Sequence, residues 1–443
     1  MLINFTFKNY RSFKEQTQFS MEGSKGPDTW PMPNVMSAAA VYGPNASGKS
    51  NLLRAIRHVS ALVSTSFSSG DSTTGVAVDP FLLDGTSRHE PSEYFIEFTA
   101  NDGLRYKYWF AADSSKVIEE NLYVYRSAQP SVLFERWTDS TGQHVQFGPS
   151  FKGAKQQVWK ITRPNSLFLS TAAASGIEVV SAAHSWLTRS ISFCSAPMYS
   201  AEEGFITDSF ESHDTLSGAL SELIRLADFG IEQIEANKID PDETMVRGIK
   251  GIFGEAAEDS ALYGSIMHSL STELRFKHLG AGGVSEWFGP ERESDGTRAA
   301  LAFFSVALKT LSSGSLLLVD ELDGSLHPLL VEQLVRLFVD PATNPLQAQL
   351  VFTTHDASLI SKSGRDTRVL GRDQVWFVQK GRNGSSELFP VSEFSPRPDE
   401  NIGRNYLNGV YGAIPVASVA NTVVKAVANL IKLREGDDNG PKS

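Results

Sequence analysis

The alternation of apolar and polar positions divides the chain into stretches of different period. Residues 2–7, Leu2-Ile3-Asn4-Phe5-Thr6-Phe7, alternate and predict a strand. Ala38-Ala39-Ala40-Val41-Tyr42 is a continuous apolar run, and residues 315–321 and 350–356 are apolar runs that end in polar residues. Such runs read as buried strands. Between 91 and 147 the period is two. Residues 94–99 face 104–110 across Asn101-Asp102-Gly103, residues that tolerate positive φ and so predict a hairpin. Residues 117–125, 132–137 and 144–147 continue this pattern, with a turn at Thr141-Gly142, and 374–379 reads as one more strand.

Helical spacing follows residue 49 to about 63, and recurs over 294–311 and 327–339. The region 176–270 reads as mostly helical, with short amphipathic helices over 216–227 and 231–236. Over 416–433 the residues Val416, Val419, Val423, Val427, Leu430 and Ile431 share one helix face. Residues 23–33 and 64–75 are rich in Gly, Ser, Pro and other turn formers and read as loops. The tail from Glu435 is polar. Apolar heptads are nowhere sustained, so no long coiled coil is expected.

Composition adds bounds. A length of 443 residues suggests two or three domains, and 41% hydrophobic content suffices for a globular core. A net charge of −11 argues against a surface that binds polyanions throughout, while leaving a local basic groove open. Lys152, Lys155, Lys160 and Arg163, with Trp159 among them, form the one modest basic cluster; a solvated charged face accounts for it more simply than a nucleic-acid groove. The single cysteine, Cys194, allows no intramolecular disulfide and reads as a buried small side chain rather than a nucleophile. The N-terminus lacks a basic start followed by an apolar block, and no run nears the ~20 apolar residues of a membrane span. A soluble cytoplasmic protein with no membrane partner is expected.

The chemistry centres on Gly43-Pro44-Asn45-Ala46-Ser47-Gly48-Lys49-Ser50, which fits the phosphate-loop pattern and lies between a predicted strand and a helix opened by Asn51. Gly43 and Gly48 let the backbone curl so that successive N–H groups face an anion, and the helix N-terminus adds its positive end. Lys49 can reach the β- and γ-phosphates, and the Ser50 hydroxyl can ligate Mg²⁺. Asp320-Glu321 ends a buried strand, where ligands of an α/β sheet bind. Asp320 suits Mg²⁺ and Glu321 suits polarising the water that attacks the γ-phosphate. His355 ends the next apolar strand and could sense the γ-phosphate; a histidine bonded to a turn carbonyl is the structural alternative.

Glu293-Ser294-Asp295-Gly296-Thr297-Arg298 opens a helix between the phosphate loop and Asp320. This order of motifs resembles an ABC-type ATPase head, and more closely the OLD-like ATPases (overcoming-lysogenisation-defect), together with RecF and SMC heads. Lys8-Asn9-Tyr10-Arg11-Ser12-Phe13 resembles the N-terminal segment of that group, which implies that Arg11 contacts nucleotide. Ser294 to Thr297 resembles its shortened signature loop, Asp323 to Pro328 its D-loop, and Thr353 to Asp356 its His switch. The implied fold is α/β: a P-loop ABC-type ATPase head with an inserted β-rich and helical region. The expected division is 1–90 (N-terminal lobe), 91–150 (β-rich arm), 151–273 (mostly helical insertion), 274–400 (C-terminal lobe) and 401–443 (helix and tail). No glutamine stands at the Q-loop place; Gln129, Gln143 and Gln146 fall in the β-rich stretch.

The resemblance implies two heads packed head to tail around two ATP molecules, with Ser294, Gly296 and Arg298 of one copy on the γ-phosphate held by Lys49 of the other. For Ser294 a helix cap without a ligand stays open, and for Arg298 a surface ion pair. OLD nucleases carry a C-terminal Toprim domain, whereas fewer than about 100 residues follow His355 and they lack a Glu followed by Asp-x-Asp. The chain therefore resembles the Toprim-less, single-head branch, including abortive-infection ATPases and the AriA component of PARIS; residues 406–415 also resemble that branch's C-terminal element. The implied function is an ATP-binding and ATP-hydrolysing switch. It would form a homodimer or higher oligomer and control a separately encoded effector, a nuclease such as a Toprim protein, in anti-phage defence, with DNA or a phage protein as trigger. The alternatives are a RecF-like DNA-binding repair ATPase and a transporter ATPase subunit, the latter disfavoured by the β-rich and helical middle.

Overall fold

The computed structural model describes residues 1–23, 34–69, 71, 73–195, 199–227, 230–253, 261–361, 368–397, 400–415, 423–424 and 426–427. Strands β1 (Leu2–Lys8) and β2 (Thr17–Ser20) form a hairpin, and β3 (Ala38–Tyr42) leads into α1 (Lys49–Thr65). Next come β4 (Ser92–Thr99), β5 (Arg105–Ala112), β6 (Val117–Tyr125), β7 (Pro130–Asp139) and β8 (Gly142–Phe147). Helices α2 (Lys155–Ile161), α3 (Phe168–Ala174) and α4 (Glu178–Arg189) lead to β9 (Ile191–Ser195). Then follow α5 (Tyr199–Ser212), α6 (Thr215–Leu226), β10 (Ile231–Lys238), α7 (Glu243–Phe253), α8 (Ala261–Leu270), β11 (Thr272–Leu279) and β12 (Ser285–Phe288). The rest comprises α9 (Asp295–Ser313), β13 (Leu316–Asp320), α10 (Pro328–Val339), β14 (Gln349–Thr353), β15 (Val375–Lys380), β16 (Ser386–Pro390) and α11 (Ile402–Leu407).

These strands make three sheets. A seven-stranded antiparallel sheet has the order β2-β1-β4-β5-β6-β7-β8. A six-stranded sheet, β16-β15-β3-β14-β13-β9, is parallel except for its edge strand β16. A small antiparallel sheet has the order β10-β11-β12. The architecture is α/β, a mostly parallel sheet packed through α1 against an antiparallel one.

The core follows from alternation within the buried strands. Ala39, Val41, Leu316, Leu318 and Val351 point to one side of the six-stranded sheet, where they meet α1 and the inner face of the seven-stranded sheet. Their neighbours Ala38, Ala40, Tyr42, Leu317, Val319, Leu350 and Phe352 point to the other, against α9 and α10. Successive side chains of a strand alternate faces, so a continuous apolar run is needed only where both faces are covered. Helix α1 buries Leu52, Ile56, Val59 and Val63 between the two sheets, each such side chain stabilising by about 1.5–3 kcal/mol.

Two expectations change. Residues 231–236 form strand β10, not a helix. Ile231 and Ile234 are both buried three residues apart, a helical spacing, but a bulge between Ile231 and Gln233 inserts the extra residue that puts both on one face of a strand. β9 lies inside the region read as mostly helical and completes the six-stranded sheet, Ser195 standing opposite Asp320. The helix expected over 416–433 falls outside the described residues, apart from 423–424 and 426–427, which are helical.

Candidate active site

The site assembles where β3, β13 and β14 end. After Tyr42 the chain turns through Gly43, with φ of 155°, and Gly48, with φ of 115°. A Cβ on Gly43 would collide with the Val378 carbonyl, and one on Gly48 with the Ser386 and Ser12 hydroxyls. Glycine is therefore required by the conformation and also by the close grip of neighbouring segments. Pro44 is half-buried, and Asn45 and Ala46 form the exposed outer curve, Ala46 with φ of 62°. The Ser47 hydroxyl is buried without a hydrogen-bond partner among the described residues. Lys49 opens α1, is buried, and donates from Nζ to the carbonyls of Gly43 (2.9 Å) and Pro44 (3.2 Å). Burial lowers its pKa, while Glu321, Asp320 and Asp323 work against that shift. Burial raises the Tyr406 hydroxyl above its ordinary range, and the nearby Gly43 backbone N–H works against that rise.

The carboxylates meet this loop from β13. Ser50 Oγ donates to Asp320 Oδ1 at 2.9 Å, and Thr353 Oγ1 donates to the same oxygen at 2.8 Å. Arg54, one helical turn after Ser50, places Nη2 3.8 Å from Asp320 Oδ2. Glu321 follows in the left-handed region, φ 59°, with its N–H donating to Thr353 Oγ1 at 2.7 Å. A non-glycine residue there costs about 1–2 kcal/mol and persists only where its surroundings hold it. His355 is exposed, its N–H donating to Asp323 Oδ2 at 3.1 Å, and the Tyr42 hydroxyl donates to the Asp356 carbonyl at 3.0 Å. Hydrogen bonds thus join Ser50, Asp320, Thr353 and Glu321 into one network beside Lys49, and His355 follows two residues after Thr353. A hydroxyl and a carboxylate 2.9 Å apart are hard oxygen donors of the kind that hold Mg²⁺, so the residues present fit that ion.

Other expected residues are held elsewhere. Ser294 caps α9, its Oγ accepting from the Thr297 N–H at 3.1 Å and meeting Thr297 Oγ1 at 2.8 Å. Arg298 pairs with Asp295, and its charge also acts on Glu203. Gly296 lies against the Ser325 carbonyl, 2.8 Å from where its Cβ would be. Among the described residues, no hydrogen bond links Ser294, Gly296 or Arg298 to the phosphate loop of the same chain. Arg11 bonds Asp79 through Nε (2.6 Å) and through its backbone N–H (2.7 Å), so its guanidinium is engaged by a carboxylate. Asn51 turns its side chain to Ser12 Oγ at 2.8 Å, bracing the N-terminal segment instead of facing the loop.

Gln143 and Gln146 lie on β8, and Gln129 in the turn before β7. In the basic cluster, Arg163 Nη2 donates to the carbonyls of Ser66 (3.1 Å) and Phe67 (2.7 Å). The Arg136 guanidinium stacks over Trp159 at 5.5 Å and Lys155 over Phe147 at 5.3 Å. These contacts engage Arg163 and Lys155, while Lys152 and Lys160 of that cluster are exposed. Burial pushes the Cys194 thiol up to about 12, which disfavours a nucleophilic thiolate.

Sequence reasoning missed Thr353 as a structural partner, and also Arg54, Ser12, Ser386 and Tyr406. Arg54 was signalled by its four-residue spacing from Ser50 on one helix face. Thr353 was signalled by a hydroxyl at the end of an apolar strand. Ser12, Ser386 and Tyr406 reach the loop from far along the chain and carry no local signal.

Residues 38–361, well over half of the chain, match the family model described as "AAA domain, putative AbiEii toxin, Type IV TA system". The chain belongs to that AAA-domain family. Among solved structures it is similar to the SMC head domain from Thermotoga maritima, at 14% identity and a TM-score of 0.37, covering 88% of this chain and 98% of that one. It is also similar to the recombination mediator protein RecF of the RecFOR pathway bound to ATPrS, at 13% identity and a TM-score of 0.36, again covering 88% and 98%. No curated protein matches the sequence. No described helix is long and apolar enough to cross a membrane.

Proposed function

We propose that this AAA-domain protein is an ATP-hydrolysing switch whose closed state is a dimer of heads and whose output is control of a separate effector in anti-phage defence. One observation carries the reading: the Ser50–Asp320–Thr353–Glu321 network, which brings the phosphate loop, the acidic strand end and the His355 strand together at Lys49.

The N–H groups from Ala46 to Ser50 and the α1 N-terminus cradle the triphosphate, and Lys49 moves from its own loop carbonyls to the β- and γ-phosphates. Ser50 and Asp320 would hold Mg²⁺, which when bound neutralises charge developing on the phosphates. Glu321 polarises the attacking water, held at its post by Thr353. His355 reads the γ-phosphate from the neighbouring strand end. Ser294, Gly296 and Arg298 complete the site of a second copy, which agrees with the exposure of Ser294 and the absence of bonds from the three to their own loop. The effector is a separately encoded nuclease and the trigger DNA or a phage protein; the match to a toxin–antitoxin family supports a defence setting.

Glu321→Gln tests the core. It should retain ATP, slow turnover by at least about 100-fold and accumulate as an ATP-dependent dimer on size-exclusion chromatography. Turnover at the wild-type rate would remove Glu321 from the mechanism. For the effector, pull-down and activity assays with neighbouring gene products are decisive. DNA cleavage by the purified protein alone would overturn a separate nuclease.

A further inference from the structure

We infer that the cleft between the free edges of β2 and β16 is a docking groove for an extended, lysine- or arginine-bearing segment of a partner protein, which adds as a strand to β16. β2 ends the seven-stranded sheet and β16 ends the six-stranded sheet. A cleft of about 680 Å³ lies along both, lined by Gln18 and Ser20 on one side and by Leu388 and Pro390 on the other, with Trp376 between. Natural proteins usually blunt or cover such edges, because a row of unpaired N–H and C=O groups is a template for another strand.

The hydrogen-bond phase of each edge follows from bonds at its end. Gly381 N–H bonds the Ser385 carbonyl, so the alternate residues Glu387 and Phe389 turn their backbone toward β15. Ser386 and Leu388 turn theirs outward. Ser386 spends its N–H on the Ser12 carbonyl at 2.6 Å and Pro390 has none, so Leu388 alone presents an outward N–H on β16, beside its C=O and that of Pro390. On β2, Met21 N–H bonds the Ile3 carbonyl, so Gln18 and Ser20 face away from β1. The indole of Trp376 packs on Phe19 with ring centroids 5.1 Å apart, and its Nε1–H is buried without a partner among the described residues.

Charge selects the occupant. Glu15, Glu387 and Glu393 line the cleft and no Lys or Arg does. Main-chain pairing supplies affinity in strand addition, while alternate side chains supply specificity. Side chains on one face of the added strand would lie beside Glu387, which stands on the β16 face opposite Leu388, so a basic segment fits and an acidic one is repelled. The groove is independent of the ATPase reading, but its position adds a consequence. Ser386 begins β16 and its hydroxyl donates to the Ser47 carbonyl at 2.5 Å, directly behind Gly48. A strand laid on β16 therefore acts on the rear of the phosphate loop, and nucleotide must act back on strand binding by the same factor.

The test uses the full chain and two fluorescein-labelled ten-residue peptides, one alternating Val with Lys and one alternating Val with Glu, at about 50 mM salt to limit screening. Fluorescence anisotropy should give at least tenfold tighter binding of the Lys peptide. The E387K/E393K variant should abolish that preference while melting at the wild-type temperature. Hydrogen exchange should show new protection at the Leu388 amide. Equal affinity for the two peptides, no binding of either, or protection confined to other segments would overturn the proposal. So would stoichiometric displacement of the peptide by ATP, which would make the cleft part of the nucleotide site. Self-association lost in E387K/E393K would assign the groove to a second copy instead of a partner.

Discussion

Thr353→Val removes one hydroxyl and keeps the shape. The side chain is fully buried, and that hydroxyl makes two bonds, donating to Asp320 Oδ1 at 2.8 Å and accepting from Glu321 N–H at 2.7 Å. The first is charge-assisted and contributes about 1.5–3 kcal/mol; the second leaves a backbone N–H unsatisfied at a cost of about 1–3 kcal/mol. Partial relaxation of Glu321 recovers some of this, because its φ of 59° is itself unfavourable by about 1–2 kcal/mol. A net loss of stability near 2–3 kcal/mol is expected. The catalytic loss follows from the same relaxation. Once Glu321 leaves the left-handed region its carboxylate moves, and a displacement of about 1 Å costs on the order of 100-fold in rate. Steady-state phosphate release should therefore fall about 100-fold in kcat, with an increased Mg²⁺ requirement, while KM for ATP stays within about threefold because Thr353 touches neither Lys49 nor the loop glycines. Thr353→Ser keeps the hydroxyl and should stay within about threefold of wild type. A Val variant as active as wild type, or a Ser variant as impaired as Val, would refute the positioning role.

Three other perturbations probe separate parts of the structure. Gly48→Ala places a Cβ against the Ser386 and Ser12 hydroxyls at a φ of 115°, so ATP binding measured by calorimetry should drop at least tenfold; Ser386→Ala alone should change it less. Glu120 is fully buried and accepts from Arg136 Nη1, Tyr108 Oη and the N–H groups of Phe168 and Leu169; Glu120→Ala strands a buried guanidinium and should cost about 3–5 kcal/mol in denaturant melts, with Arg136→Leu in the same chain restoring part of it. His58 packs beside Tyr10 and Tyr94, and burial depresses its pKa to about 4. The unfolded chain, with an ordinary value near 6.5, then binds the proton first as pH falls, so the stability is complete above about pH 6.5 and declines toward pH 4, by about 2 kcal/mol at pH 5. His58→Phe should flatten that part of the acid limb in thermal melts, and an unchanged acid limb would remove His58 as its cause.

What the sequence disclosed was local. A glycine loop, an apolar run ending in Asp320-Glu321 and a serine before an apolar helix are each complete within about ten residues, and each fell where expected. The error at 231–236 was local too: a bulge makes three-residue spacing compatible with a strand, and apolar periodicity cannot separate that from a helix turn. Relations between segments were not legible. Arg11 looked free to meet a nucleotide until Asp79 was brought beside it, 68 positions along the chain. Asn51 looked like part of the loop until Ser12 was folded against it. Thr353 stands at the head of the Thr353–Asp356 motif, yet its role depends on the register that sets β14 beside β13.

The same non-local contacts bear on how the loop can signal. Ser12 comes from near the start of the chain, Ser386 from the edge strand and Tyr406 from α11, and all three touch the phosphate loop or the helix that follows it. Tyr406 stacks on Phe377 at 5.2 Å, which in turn stacks on Tyr411 at 5.5 Å. Any ligand that reshapes the loop works against the Ser386–Ser47 bond, and the aromatic stack of Tyr42, Tyr406 and Phe377 beside it is close-packed and resists gradual deformation. A ligand that reshapes the loop would therefore act on β16 through Ser386 and on the N-terminal segment through Ser12.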